Sequence, residues 1–177
     1  MDLGTGDGRH VLDRAAADPG ELVIGIDASA AAMSQSSRRA SRAGRTNTVF
    51  VVGDARHLPA DLAGLAQLVT IHFPWGSLLH AALSADPSIT RLLAPGGVVR
   101  LLVSASPRDA AAGLTDLDPT TVERAYRDAG LRVQTSRPAV AADADDAHSS
   151  WGKRLLKSGD RTRQAWLFAF ACRRSLG

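Results

Sequence analysis

Up to Val103 the chain is punctuated by four short apolar runs rich in β-branched residues: Leu22–Asp27 (LVIGID), Val49–Val52 (VFVV), Leu68–Phe73 (LVTIHF) and Val98–Val103 (VVRLLV). Unbroken apolar character over four to six residues, without alternation, is what a strand covered on both faces requires. These runs therefore predict strands of a parallel sheet. Helical stretches lie between them. Arg9–Ala17 stops at Pro19-Gly20, and Ser29–Ala43 opens on a serine suited to capping and stops at Gly44. Ser77–Ala85 follows, then Thr121–Ala129, which is preceded by Asp118-Pro119 and closed by Gly130. Alternating strand and helix predict an α/β, doubly wound sheet.

The last third breaks the alternation. Leu131–Thr135 and Ala165–Arg173 read as two strands with no helical periodicity between them. That pattern predicts a terminal antiparallel pair, with a long insertion at about 139–163 in its connection. Connections of that length tend to carry function or to lack order. At 177 residues the chain fits one domain, 1–177. No apolar run reaches the length of a membrane span and no signal peptide is visible, so the expectation is a cytoplasmic protein without a membrane partner. A single cysteine, Cys172 in AWLFAFACRR, excludes an internal disulfide and reads as a buried structural thiol.

Charge adds a direction. The net charge is +3, but from His148 onward seven cations stand against one acid, Asp160. A second cluster is Arg38, Arg39, Arg42 and Arg45. Each run alone is compatible with a solvated helix face; together they favour a polyanionic partner.

The opening, MDLGTGDGRH, sets Gly4, Gly6 and Gly8 between a strand stub and a helix. Such a turn lets backbone N–H groups approach a ligand closely. Dinucleotide sites use the spacing G-x-G-x-x-G and place a pyrophosphate there. Here the spacing is G-x-G-x-G with Asp2 two residues ahead, and an acid suits a cationic amine better than a phosphate. The ligand implied is S-adenosylmethionine, held by Asp2, Gly4 and Gly6. Asp27, ending the second strand, is placed to accept from ribose hydroxyls. Ala55, in Gly53–Ala55 after the third strand, marks the adenine end.

Two of the three tryptophans stand where a substrate would lie. Trp75, in HFPWGSLL, follows the fourth strand, and ligands of open α/β sheets bind beyond the carboxyl ends of strands. Trp151, in SSWGKRLLKSGDR, is ringed by Lys153, Arg154, Lys157 and Arg161. An aromatic ring among cations is the pairing expected for a stacked base with its phosphates. Trp166, inside an apolar strand, reads as core.

DLGTGDGRH, then PWGSLL, then SSWGKRLLKSGDR strongly resembles the aminoglycoside-resistance methyltransferases that modify N1 of adenine 1408 in 16S rRNA. The resemblance runs over essentially the whole chain, and PWGSLL with a later SxWxKRL is its most specific part. It implies a class I S-adenosylmethionine-dependent methyltransferase sheet. It implies a cofactor site of Gly4, Asp27, Ala55, Arg56, the stretch Thr70, Ile71, His72, Phe73, Pro74 and Trp75, and Ser149, Ser150 and Trp151. It further implies that Trp75 and Trp151 clamp the adenine while Arg154 and Arg161 hold rRNA backbone. The partner implied is 16S rRNA in the assembled 30S subunit, with the protein monomeric and no metal involved. This chain departs from the family at three points. Met1 falls inside the first strand, where members carry roughly a hairpin's worth of earlier residues. Gly159 stands where a basic residue is common, and Arg56 stands where an acid is usual.

Adenine N1 has its own lone pair, so attack on a sulfonium methyl calls for positioning and not for a general base, and none is assigned. Each good stack on an indole contributes roughly 1–3 kcal/mol. Two other readings stand beside this one. A transferase acting on a small natural product would methylate small acceptors and leave 30S subunits untouched. A catalytically weak rRNA-binding homologue would fail in calorimetric titration with the cofactor.

Overall fold

The computed structural model describes residues 1–104, 117–147 and 165–173. Among them seven strands form one sheet: β1 (Asp2–Leu3), β2 (Val23–Asp27), β3 (Thr48–Val52), β4 (Ala66–His72), β5 (Leu93–Ser104), β6 (Arg132–Pro138) and β7 (Ala165–Ala171). Their order is β3-β2-β1-β4-β5-β7-β6. The first five pair in parallel, and β7 runs antiparallel to both β5 and β6. The α/β sheet with a terminal antiparallel pair is thus the one the sequence predicts. β1 is two residues long yet sits mid-sheet between β2 and β4, and its pairing extends to Met1, whose carbonyl accepts the Thr70 N–H at 2.9 Å.

The helices are α1 (Arg9–Ala17), α2 (Ala30–Arg42), α3 (Gly76–Leu83), α4 (Pro87–Thr90), α5 (Pro119–Asp128) and α6 (Ala141–Asp146). Local signals explain their starts. The Ser29 hydroxyl accepts from the Ala32 N–H, and Asp118 accepts from the Thr120 and Thr121 N–H groups ahead of a proline in the first turn. None of these helices is long and apolar enough to cross a membrane.

Paired residues of neighbouring strands point to the same side, so the register sorts the side chains into two faces. Leu3, Ile26, Ile71, Val99, Leu101, Phe168 and Phe170 share one face and form the main core with Leu79, Ile89, Val122 and Tyr126. The other face carries Asp2, Thr70, His72, Arg100 and Arg137. Among the described residues two small apolar clusters lie on it: Val11, Ala15 and Val23 with Phe50, and Leu102, Ala147 and Leu167 with Phe73. The polar residues of the sheet are concentrated on this thinner side.

Helix α6 lies in the connection where the sequence shows no helical periodicity. Six residues reading AADADD offer no apolar stripe, so periodicity could not reveal it. What stabilises it is tertiary. Asp143, 4% exposed, accepts from both terminal nitrogens of Arg137 at 2.8 Å and from the Val140 N–H at 2.8 Å. The Arg137 guanidinium beside Asp143 holds its carboxyl below the usual carboxylate range. Cys172 is half-buried against the core and not fully enclosed as expected. Trp166 packs on that core and stacks with Phe168, as expected of it.

Tyr126 ties α5 to both its neighbours. Its ring lies parallel to Phe170 with centroids 3.9 Å apart, and its hydroxyl donates to the Ala82 carbonyl of α3 at 2.9 Å. Tyr126→Phe keeps the stack and leaves a buried carbonyl unpaired. We expect a loss of about 1 kcal/mol, read as a fall of roughly 2–4 °C in the calorimetric melting temperature.

Candidate functional site

Strand order reverses between β1, which leads outward to β2, and β4, which leads the other way. That reversal opens a crevice at the carboxyl ends of both strands. The glycine turn lines one wall. Gly4 and Thr5 both donate their N–H to the Ile26 carbonyl, at 2.8 and 3.1 Å, pinning the turn to β2. Gly4, Gly6 and Gly8 all have positive φ, at 71°, 56° and 71°. A Cβ at Gly4 would lie 2.7 Å from Leu78, and one at Gly8 would lie 2.5 Å from the Ser36 hydroxyl. At Gly6 nothing among the described residues stands within 4 Å of such a Cβ, so on this side the turn is open to a ligand at its middle glycine.

Asp27 joins three pieces of chain. One carboxylate oxygen accepts the Gly6 N–H at 2.9 Å, and the other accepts the Ser29 N–H at 2.8 Å. A carboxylate has about four acceptor positions, so two such bonds leave it capacity for hydroxyl groups of a ligand. Beneath the turn, Asp2 is 3% exposed. Its carboxylate accepts the Thr70 hydroxyl at 2.7 Å and lies 3.7 Å from His72 Nδ1. The His72 ring in turn meets His10 edge-on, with centroids 4.5 Å apart. This buried acid gives the crevice floor the sign of potential that a cationic group prefers.

After β3, Gly53 donates to the Asp27 carbonyl at 3.0 Å, and Ala55 is buried. Arg56 folds back on Asp54, donating from its backbone N–H, Nε and a terminal nitrogen at 2.9, 3.1 and 2.7 Å. His57 Nδ1 lies 3.1 Å from the same carboxylate. The Arg56 guanidinium holds the Asp54 carboxyl far below its usual range. At the end of β4 the chain turns sharply. Phe73 adopts φ 47° and donates its N–H to the Leu102 carbonyl at 2.6 Å, and Pro74 is buried. Trp75 then projects from the start of α3 with 84% of its surface exposed. An exposed indole of this size is unusual on a protein surface.

The sequence model of one family, described as NpmA, 16S rRNA (adenine(1408)-N(1))-methyltransferase, matches residues 1–169. The chain belongs to this family. A relative of the same description from Streptoalloteichus hindustanus is 30% identical over 177 aligned residues, which cover 91% of this chain and 81% of the relative. The solved antibiotic-resistance methyltransferase Kmr is 35% identical, with a TM-score of 0.75 over 97% of this chain and 85% of its own. A mutant 16S rRNA (adenine(1408)-N(1))-methyltransferase from Catenulisporales acidiphilia, solved with the cosubstrate SAM, is 27% identical. Its TM-score is 0.80 over 99% of this chain and 86% of its own.

Of the residues singled out from sequence in this family member, the fold brings Asp2, Gly4, Gly6, Asp27, Ala55, Arg56, Thr70, His72, Phe73, Pro74 and Trp75 to the carboxyl-end rim of β1 to β4. Ile71 belongs to the same stretch, but its side chain is fully buried in the main core on the opposite face. Ser149, Ser150, Trp151, Lys153, Arg154, Lys157 and Arg161 lie outside the described residues. The basic cluster of α2 is solvent-facing: Arg38, Arg39 and Arg42 line a shallow depression, and Arg39 donates to the Asp7 carbonyl of the glycine turn at 3.1 Å. Three side chains at the site escaped sequence reasoning. Leu78 backs Gly4, His10 meets His72, and Asp54 holds Arg56. His10 stands in DLGTGDGRH, Leu78 in PWGSLL and Asp54 in Gly53–Ala55, so each lies within a stretch already singled out, but nothing in the pattern gave it a role.

The glycines separate packing from binding. Gly8→Ala combines a left-handed backbone with a clash against Ser36 and Phe50, and should cost about 2–4 kcal/mol in urea denaturation. Gly44→Ala, at φ 64° with open space around it, should cost only about 1 kcal/mol by the same measurement.

Proposed function

We propose that this protein methylates N1 of adenine 1408 of 16S rRNA within the assembled 30S subunit, using S-adenosylmethionine, and so confers aminoglycoside resistance. The observation that carries the reading is the family match over residues 1–169, which spans the crevice and the SSWGKRL stretch together. The residues present fit the cofactor: an open glycine turn, a carboxylate with spare acceptor positions and a buried acid under the crevice floor. When bound, the cofactor supplies a methyl group on a cationic sulfur.

The protein's own work is placement. Asp27 accepts from ribose hydroxyls, Gly4 and Gly6 let main chain approach, and Ala55 borders the base of the cofactor. Arg56 lies beside that edge with both its backbone N–H and its guanidinium held by Asp54. Asp2, through Thr70 and His72, offsets positive charge on the amino-acid end. Trp75 and Trp151 grip the target adenine, which must leave its stack for N1 to become accessible. Indole faces also favour the positive charge that the base acquires on methylation. Ser149 and Ser150 border the cofactor beside Trp151, and the stretch 139–163 is a functional insertion of one methyltransferase domain. Lys153, Arg154, Lys157 and Arg161 bind rRNA phosphates. The protein works in the cytoplasm as a monomer and needs no metal, since the attacking lone pair is already present on the base.

Reverse transcription across the decoding site of 30S subunits treated with protein and cofactor should stop at adenine 1408, because N1 methylation blocks pairing. Unimpeded read-through together with methyl transfer to a small acceptor would refute the proposal. Trp75→Ala and Trp151→Ala should each lower transfer by roughly one to two decades, in line with the loss of one stacking contact, with melting temperatures unchanged. Arg154→Ala and Arg161→Ala should weaken 30S binding and each reduce the slope of log affinity against log salt by about 0.7–0.9, measured by filter binding at several salt concentrations.

A further inference from the structure

One row of paired residues crosses the thinner face of the sheet. His72 on β4 is opposite Leu102 on β5, Leu102 is opposite Leu167 on β7, and Leu167 is opposite Arg137 on β6. Helix α6 spans the outer part of this row. Toward one end Asp143 is clamped by Arg137; toward the other, Ala147 packs with Leu102 and Leu167, and Phe73 packs against that cluster. The two ends are one helical turn apart and joined by the Ala147 N–H to Asp143 carbonyl bond at 3.1 Å. Arg100 of β5 reaches the same helix, with its guanidinium 4.0 Å from Asp143 and 3.9 Å from Asp146.

A helix of six residues does not hold itself together in water, and the two buried methyls of Ala144 and Ala147 give little apolar area to seat it. The charge-assisted fork at Asp143 supplies what the apolar contact lacks, namely direction as well as attachment. What α6 then supports is the turn after β4. Phe73 holds φ 47°, a conformation costly for a residue with a bulky side chain and retained only where the surroundings enforce it. Its N–H bond to the Leu102 carbonyl and its packing on the Leu102, Ala147 and Leu167 cluster are part of those surroundings. Trp75 is two residues further on and makes no such anchorage through its own exposed ring.

We infer that Asp143 is a positioning residue for methyl transfer: pinned by Arg137, it seats α6 so that Ala147 backs the left-handed turn at Phe73 and fixes where Trp75 presents its indole. This rests on the reading of Trp75 as the stacking surface for the target base. The effect on turnover is indirect, through orientation of Trp75, and leaves the cofactor wall formed by Asp27 and the glycine turn untouched.

The test uses the full chain with purified 30S subunits and labelled cofactor. Asp143→Asn removes the charge, and Arg137→Gln removes the fork from a side chain that is 43% exposed and tolerant of change. Each should lower kcat/KM for 30S subunits by roughly 10- to 100-fold, the scale of a small misplacement at a reacting centre. Cofactor affinity by calorimetry should fall by much less than kcat/KM, because Asp27 and the glycine turn share no partner with Asp143 and only the Phe73–Trp75 edge of that wall shifts. In a Trp151→Phe, Trp166→Phe background, the fluorescence anisotropy of Trp75 should fall when Asp143→Asn is added. If Asp143→Asn does not fold, Arg137→Gln decides. Full transfer activity in the folded variants overturns the inference, as does an equal loss of cofactor affinity or an unchanged Trp75 anisotropy. Trp75→Ala measured alongside separates the two layers. If it retains full activity, the reading of Trp75 fails; if it is inactive while both Asp143 and Arg137 variants are active, only the positioning role fails.

Discussion

The crevice depends on how Asp27 spends its carboxylate. One oxygen is bonded to Gly6 and the other to Ser29, so a single side chain at the end of β2 fixes the glycine turn and the start of α2 at once. That double attachment explains why three left-handed glycines can stand in one short turn without collapsing into the space they border. Gly4 and Gly8 are left-handed where side chains of α3 and α2 press close. Gly6, between them, is left-handed where the surface is open. The same turn therefore has two packed positions and one position available to a ligand.

The two faces of the sheet divide the labour. One face buries Leu3, Ile26, Ile71, Leu101, Phe168 and Phe170 and supplies most of the hydrophobic stabilisation. The other holds Asp2, Thr70, His72 and Arg100 and, among the described residues, is covered by α1, α2, α6 and two small apolar clusters. Polar groups that a large core could not tolerate unpaired are instead bonded to one another along the strands, as Thr70 is to Asp2. Because neighbours in register face alike, the acid of β1 and the histidine of β4 are brought together by sheet pairing alone.

Much of this was legible in the sequence. Unbroken β-branched runs gave β2, β3 and β4 nearly to their ends, and the glycine turn, Asp27 and Trp75 lie on the rim where their strand positions put them. β5 begins five residues earlier than its apolar run, because LAPGG joins the strand through the bulged pairing of Ala66 with Leu93. α6 was hidden because its stability comes from Arg137, several residues away on another strand, and not from its own pattern. The Asp54 clamp on Arg56 was hidden for the same reason, since a side-chain fork leaves no periodic trace. Trp151 and the cations around it remain matters of sequence and proposal, as they fall beyond the described residues.

The place of β7 bears on how the chain is made. β7 is last in sequence among the described strands but sits between β5 and β6, and it supplies Phe170 to the stack beneath Tyr126. During synthesis, then, β6 emerges from the ribosome with no strand beside it, and the outer edge of β5 stays bare until residues 165–171 arrive. A nascent chain is left with two unsatisfied strand edges and an uncovered tyrosine for that interval, the kind of surface that chaperones hold and that misassembly exploits. A premature stop before β7 would thus forfeit two strands, although it deletes only one.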